Sequence, residues 1–335
     1  MRFLVQKAIS ISVICGMLTF ASITPVQAVT WKDCGLLLTS LFRGTPESIA
    51  WTKRIDQHCS ITDQGVWQSC WAHAGAKFYT SLARKLDLIK PLDEVSHNFY
   101  FARHIEKQAL THLGRKINPS RAIDETGRLA DFDHYVLEYG LVKEADYLPP
   151  RFGPKQTTIF EDRDVAKRFY RELNTSSHKS SVINRYLGNL NQVPKTRVAE
   201  PLELAVLGKS QFIGTNTYVR ALDAPIENLD QVLDVIKKNI DKDYMVYSIW
   251  RVNPEVYEKT MGNFGNYLIK RNSRNFVDGL HAMPVIGYRS NAKGKVTELL
   301  VQNSWGREFG QNGLMVVDRH FFEKYFLQME SYLGN

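Results

Sequence analysis

Residues 62–78 read TDQGVWQSCWAHAGAKF and set one cysteine, Cys70, between a Gln64-Gly65 turn and a helical run. The apolar residues Trp71, Ala74, Phe78, Leu82 and Leu86 recur at steps of three and four, one face of an amphipathic helix. Ser69 stands at the N-cap position, which puts Cys70 in the first turn. Unpaired backbone N–H groups and the helix macrodipole favour a thiolate there. Gln64 lies behind Gly65, so a turn swings its amide toward the sulfur and makes, with the Cys70 N–H, a two-donor oxyanion hole. The other reading of Cys70 is a small buried apolar residue.

A thiol nucleophile needs a base, and the base needs an orienting group. DGLHAMPVIGY, residues 278–288, carries His281 ahead of an apolar run that reads as a buried strand. TELLVQNSWGREFGQNG, residues 297–313, reads as the next strand, ending in Asn303-Ser304-Trp305-Gly306. The chain has nine histidines, and His58, His97, His104, His112, His134, His178 and His320 read as surface or hydrogen-bonded structural residues. His73, three residues past Cys70, is too close along one helix to approach the thiol side-on and reads as lining or packing.

Gln64-Gly65, Trp67-Gln68-Ser69-Cys70-Trp71, His281-Ala282 and Asn303-Ser304-Trp305-Gly306, in that order, resemble the papain-like cysteine peptidases. Trp67 stands where the family motif has its first cysteine, and Gln68 where it has a glycine that lets substrate backbone come close. The resemblance implies an α+β fold of two lobes, a helical one carrying the cysteine and a β-rich one carrying the histidine and asparagine. It implies catalytic roles for Cys70, His281, Asn303 and Gln64, and substrate contact by Gln68, Ser69, Trp71 and Trp305. The implied substrate is a protein or peptide, and neither metal nor cofactor is called for. EVSHNFYFARHIEKQ (94–108), EYGLVKEADYLP (138–149) and GLMVVDRHFFEKYFLQMES (313–331) are similar to the bleomycin hydrolase and aminopeptidase C branch.

Between Cys70 and His281 lie about 210 residues, against roughly 130–150 in papain and cathepsins, so something is inserted. SHNFYFARHIEKQALTHL (96–113) and the run from Gly127 to a stop at Gly140 read as helices of the first lobe, about 61–152. The polar tract of about 153–210 is the expected insertion, a mobile cap or a helical subdomain. IENLDQVLDVIKKNI (226–240) reads as an amphipathic helix, and YMVYSIWRV (244–252) as the first strand of a β-rich lobe of about 211–335.

Residues 1–28 have a basic start at Arg2 and Lys7, an apolar middle and the small-residue ending Val26-Gln27-Ala28, which reads as a cleavable signal peptide. Secretion or export to the periplasm is the expectation, without stable membrane association after cleavage; an uncleaved anchor is the alternative. Cleavage lowers the net charge from +8 to about +6, with basic residues dispersed among acids, which is no nucleic-acid footprint. The mature chain keeps Cys34, Cys59 and Cys70, and three cannot all pair internally. The economical assignment is a Cys34–Cys59 disulfide with Cys70 free, closing a hairpin in an N-terminal extension of residues 29–60 that is expected to lie along the enzyme and cover part of the cleft. Oligomeric state is left open.

Overall fold

A computed structural model describes residues 51–55, 60–65, 67–111, 127–196, 217–219, 226–252, 279–307, 309–310 and 313–332. Residues 1–50, Cys59 and the remainder of the expected hairpin lie outside the described residues, as do His58, His112 and Asn312.

The fold starts from helix α1 (Cys70–Lys85). Its sequence reads as amphipathic, yet every residue from Trp71 to Ala83 is buried. Both flanks are covered, one by helices α2 (His97–Thr111) and α3 (Leu129–Tyr139), the other by strands β5 (Val246–Val252) and β6 (Gly279–Ser290). The polar members of the hidden flank are satisfied in place. Thr80 Oγ1 donates to the Ala76 carbonyl and accepts from the Val95 N–H at 2.9 Å. Ser81 Oγ donates to the Phe78 carbonyl and accepts from the Met245 N–H at 3.2 Å. Buried polar atoms need such partners, which is how a mixed helix survives in a core.

Gly140, at φ +75°, ends α3 with its N–H on the Val136 carbonyl, as the sequence predicts. Beyond it come a short hairpin, β2 (Arg151–Phe152) with β3 (Thr157–Thr158), and helices α4 (Arg163–Thr175) and α5 (Lys179–Leu187). Asp162 caps α4 by accepting from the Asp164 and Val165 N–H groups. From β3 onward these elements fall within the expected insertion of about 153–210. Phe169, Leu173, Ile183 and Leu187 join one core with Trp71, Phe101 and Phe132, so the segment is a helical subdomain built into the first lobe rather than a separate cap.

The second lobe is an antiparallel sheet with strand order β4 (Thr217–Val219), β9 (Phe326–Glu330), β5, β6, β7 (Val296–Gln302), β8 (Leu314–Asp318). Helices α6 (Leu229–Asp241) and α7 (Arg319–Tyr325) close its other core, around Ile236, Val285, Leu300 and Phe322. Strand β1 (Lys53–Arg54) pairs with the far end of β6, Lys53 opposite Tyr288 and Arg54 opposite Gly287. The described end of the expected N-terminal extension is therefore part of the sheet, with Ile55 in its core.

Residues 60–65 form a strap between the lobes. Gln64 N–H donates to the Ser304 carbonyl at 2.8 Å, Gly306 N–H to the Thr62 carbonyl at 2.9 Å, and Gln302 Nε2 to the Ser60 carbonyl at 2.7 Å. Gly313 closes against it at φ +82°, where a Cβ would lie 2.3 Å from Ile61 Cγ2, and its carbonyl accepts the Asn303 N–H. Replacing Gly313 with alanine adds both backbone strain and an overlap, each on the order of 1–3 kcal/mol. A loss of about 3 kcal/mol is the expected result, read from urea denaturation midpoints.

Candidate active site

Cys70 opens α1 and Ser69 takes the cap position, but the Ser69 side chain makes no capping bond. Its carbonyl instead accepts the Ala72 and His73 N–H groups, and the residue is buried. Cys70 is a free, half-buried thiol. The backbone N–H groups of Ala282, Trp71 and Cys70 itself are placed to bond its sulfur. Burial nevertheless pushes the thiol above its ordinary pKa, and those N–H groups only partly offset it. The helix terminus thus does not lower the thiol below its ordinary value, as the sequence pattern leads one to expect.

Ala282, whose N–H lies on the Cys70 side, belongs to β6 and follows His281 immediately. Register fixes the pair: Ala282 lies opposite Ile249 and His281 opposite Trp250 on β5. His281 is 3% exposed, and its Nε2 lies 2.7 Å from Asn303 Oδ1. A carbonyl oxygen only accepts, so Nε2 carries the proton and Nδ1 is the basic nitrogen. Asn303 Oδ1 is itself oriented by the Ser304 N–H at 2.6 Å, and the Asn303 N–H bonds the Gly313 carbonyl. Trp305 stacks on the imidazole, ring centroids 4.3 Å apart at 24°, and Phe309 meets Trp305 edge-on at 5.0 Å. These rings cover the His281–Asn303 bond and keep water from competing for it.

Gln64 is buried and doubly held. Ser304 Oγ donates to its Oε1 at 2.6 Å, and its Nε2 donates to the Trp67 carbonyl at 2.8 Å. The amide oxygen is occupied by Ser304, so the nitrogen faces the Trp67 carbonyl at the entry to α1. Ser304 was not singled out from the sequence as the group that orients Gln64; it stands 240 residues away in the chain.

The four residues expected to touch substrate separate. Gln68 is exposed beside the thiol, while Trp305 caps the imidazole. Trp71 needs a correction: it is 1% exposed and sits among Phe101, His104, Phe132 and Tyr135 in the helical core, so it offers no surface to a substrate. One step along a helix turns a side chain by about 100°, away from the face Cys70 occupies. Ser69, also buried, can contribute only its backbone edge.

Trp67, in the place of the motif's first cysteine, fills the seam between the α1 entry and the insertion. It packs on Phe101, Phe160 and Tyr170, and its Nε1 donates to the Ile159 carbonyl. Tyr170 on α4 and the Ile159-Phe160 turn after β3 supply the neighbours and the acceptor for so large a ring.

Residues that pattern reading passed over also converge here. Tyr247 on β5 is buried, its hydroxyl has no hydrogen-bond partner among the described residues, and burial followed by Cys70 raises its pKa far above the ordinary value. Among the described residues no group of three or more His, Cys, Asp or Glu is placed to hold a metal ion, and no helix is long and apolar enough to cross a membrane.

Residues 269–330 match a family model described as the Peptidase C1-like family, a span that holds His281, Asn303 and Trp305 but not Cys70 or Gln64. No curated protein matches the chain. Among solved structures, the chain is similar to PepW from Lactobacillus rhamnosis, with TM-score 0.48 and 15% identity over 90% of this chain and 84% of that one. It is similar to the Amb a 11 cysteine protease, a ragweed pollen allergen in its proform, with TM-score 0.42 and 14% identity over 88% and 68%. It is similar too to procathepsin B from Trypanosoma congolense, with TM-score 0.42 and 13% identity over 88% and 82%.

Proposed function

We propose that this chain is a cysteine peptidase that hydrolyses peptide bonds through Cys70, His281 and Asn303. The observation that carries the reading is the 2.7 Å His281–Asn303 bond under Trp305, on the strand β6 that packs against the helix opening at Cys70. In this reading His281 Nδ1 takes the Cys70 proton as the sulfur attacks the scissile carbonyl. The carbonyl electrons move to oxygen, where the Cys70 N–H and Gln64 Nε2 donate to it. Collapse breaks the C–N bond, the imidazolium protonates the departing amine, and a thioester remains. His281 then deprotonates water, which attacks the thioester and returns the thiol with a new carboxylate.

Residues 1–28 fit this role as a signal peptide that exports the enzyme, with Cys34 and Cys59 joined after export. Burial of the Cys70 thiol supports a general-base attack rather than a resident thiolate. The test is digestion of a mixed peptide library in water enriched in oxygen-18, read by mass spectrometry. The expected products are new amino termini paired with new carboxyl termini that each carry one heavy oxygen. Acyl groups appearing on added amines in place of heavy carboxylates would replace hydrolysis with acyl transfer, and an unchanged library would remove the peptidase reading.

A further inference from the structure

Helix α1 carries a second buried polar group, one turn beyond Cys70, that takes no part in the bond-breaking steps above. His73, 5% exposed, has Nδ1 2.8 Å from Thr62 Oγ1. Its ring lies against that of His97 on α2, centroids 4.1 Å apart at 33°. Lys77, 4% exposed, donates to Glu94 Oε2 at 2.7 Å and to Ser60 Oγ, which in turn donates to Glu94. His97 Nδ1 is 3.3 Å from Glu144 Oε2, and the other Glu144 oxygen accepts from Asn98 Nδ2.

The outer wall of this cluster is the strap of residues 60–65. Ser60 and Thr62 send their side chains inward to Lys77 and His73, while their carbonyls accept from Gln302 and Gly306 on the sheet side. Gln64, two residues on, is the oxyanion donor candidate and bonds Ser304 through both its backbone and its side chain. What the cluster holds is therefore the piece of chain that aligns Gln64 and the Asn303 turn with Cys70.

The charges around the two imidazoles come from every side. Lys77 on α1, Glu94 before α2, Glu144 in the turn after α3, and His281 on β6 face the pair; the strap contributes the neutral Ser60 and Thr62. A proton on His73 would sit buried beside the Lys77 ammonium, with the two carboxylates nearer to Lys77 and His97 than to it.

We infer that His73 is a positioning residue that holds the strap as an uncharged ring backed by that of His97, and that acid which charges the pair releases the strap from α1 and misaligns Gln64 and Asn303 with Cys70. Its consequence for turnover rests on the peptidase reading; the coupling of the strap to the two rings does not.

The direction of titration agrees. Burial lowers the pKa of His73 strongly, with His97, Lys77 and His281 adding to it. Burial also lowers that of His97, with Glu144 and Glu94 opposing and Lys77 reinforcing. A histidine of the unfolded chain takes its proton near pH ~6.5, above where these rings take theirs when folded. Stability is thus unaffected above that pH and falls as pH drops below it, because the unfolded state binds protons the fold refuses.

The experiment is amide hydrogen exchange by mass spectrometry on the full chain from pH 7.5 to 5, expressed as protection factors over the strap and the Gly306 turn. It compares wild type with His73→Asn and with His73→Asn/His97→Asn. Asparagine keeps a polar group near the Nδ1 position and does not titrate. Wild type is expected to lose at least tenfold protection between pH 7 and 5, while both variants keep theirs, and peptide hydrolysis, normalised to each protein's own value at pH 7.5, follows the same order. Protection that does not change with pH in wild type, or that falls equally in all three proteins, would overturn the inference. Loss of protection without any matching loss of hydrolysis in an active enzyme would overturn the positioning role. A protein with no hydrolysis at any pH would refute the peptidase reading while leaving the exchange result to decide the coupling.

Discussion

Cys70→Ala is expected to abolish peptide hydrolysis, and His281→Ala to lower kcat by about 10⁴- to 10⁶-fold, with the double variant no worse than the worse single one. The non-additivity is the informative part, since a nucleophile and its base act as one unit and removing either removes the step. Burial already raises the Cys70 thiol, so in this reading the imidazole is what takes its proton. Both variants should fold. Cys70 is half-buried at a helix start, and His281 lies on a strand whose ladder is made by backbone. Steady-state kinetics with a peptide substrate, beside matched thermal denaturation curves, checks both statements. Effects that multiply would mean the two residues do not share a step.

Lys77→Met is expected to have the largest effect on stability, a loss of about 3–5 kcal/mol, because it strands the Glu94 carboxylate at a nearly closed site. The Lys77 and Glu94 side chains are only 5% and 20% exposed. Burial by itself would raise the Glu94 pKa, but Lys77, the Ser60 hydroxyl and Arg84 more than offset it and hold the carboxyl below its ordinary value. A lowered carboxylate pKa gives stability that is present above its unfolded value, near pH ~4.3, and is lost as pH falls below that. The wild type should therefore show an acid loss from Glu94 below pH ~4.3, separate from the histidine-linked loss that begins near ~6.5. Lys77→Met/Glu94→Leu should recover much of the single variant's loss, because it removes both charges together. Denaturant midpoints against pH for the three proteins measure each term.

The site was legible in the sequence where its parts are local. The 3.6-residue period placed Cys70 at a helix start, and the β pattern placed His281 in one strand and Asn303 at the end of the next. What binds them was not. The Ser304–Gln64 bond spans 240 positions and the Gln302–Ser60 bond 242, and no pattern in either segment points to the other. Strand β1 escaped for the same reason: Lys53-Arg54 carries no strand signal of its own and is a strand because β6 offers an edge beyond β5. Trp71 was misplaced by adjacency, as a neighbour in a motif is not a neighbour in a site when the motif is helical.

The polar stripe on α1 did leave a trace. His73 and Lys77 are spaced by four and Ser81 follows at four again, in a helix that before Arg84 is otherwise made of apolar, small or hydroxyl-bearing residues. On a surface helix that stripe would face water. Here His73 and Lys77 face the strap and Ser81 meets the Met245 N–H, because α1 is enclosed by both lobes and its polar side chains meet partners rather than solvent. Enclosure is a property of the whole fold, so the stripe's meaning became readable only once the sheet was in place.

The most direct measurement is the rate of iodoacetamide alkylation of Cys70, assigned by mass spectrometry, between pH 5 and 9 for the wild type and His281→Ala. If His281 is the base for this thiol, the wild type labels at pH 6–7 at least tenfold faster than the variant, and the gap narrows only toward the alkaline end, because burial puts unaided ionisation of this thiol above the ordinary range. Identical profiles rising only above pH 8 would show a covered thiol with no base, and would contradict the account of this site as a nucleophile and its partner.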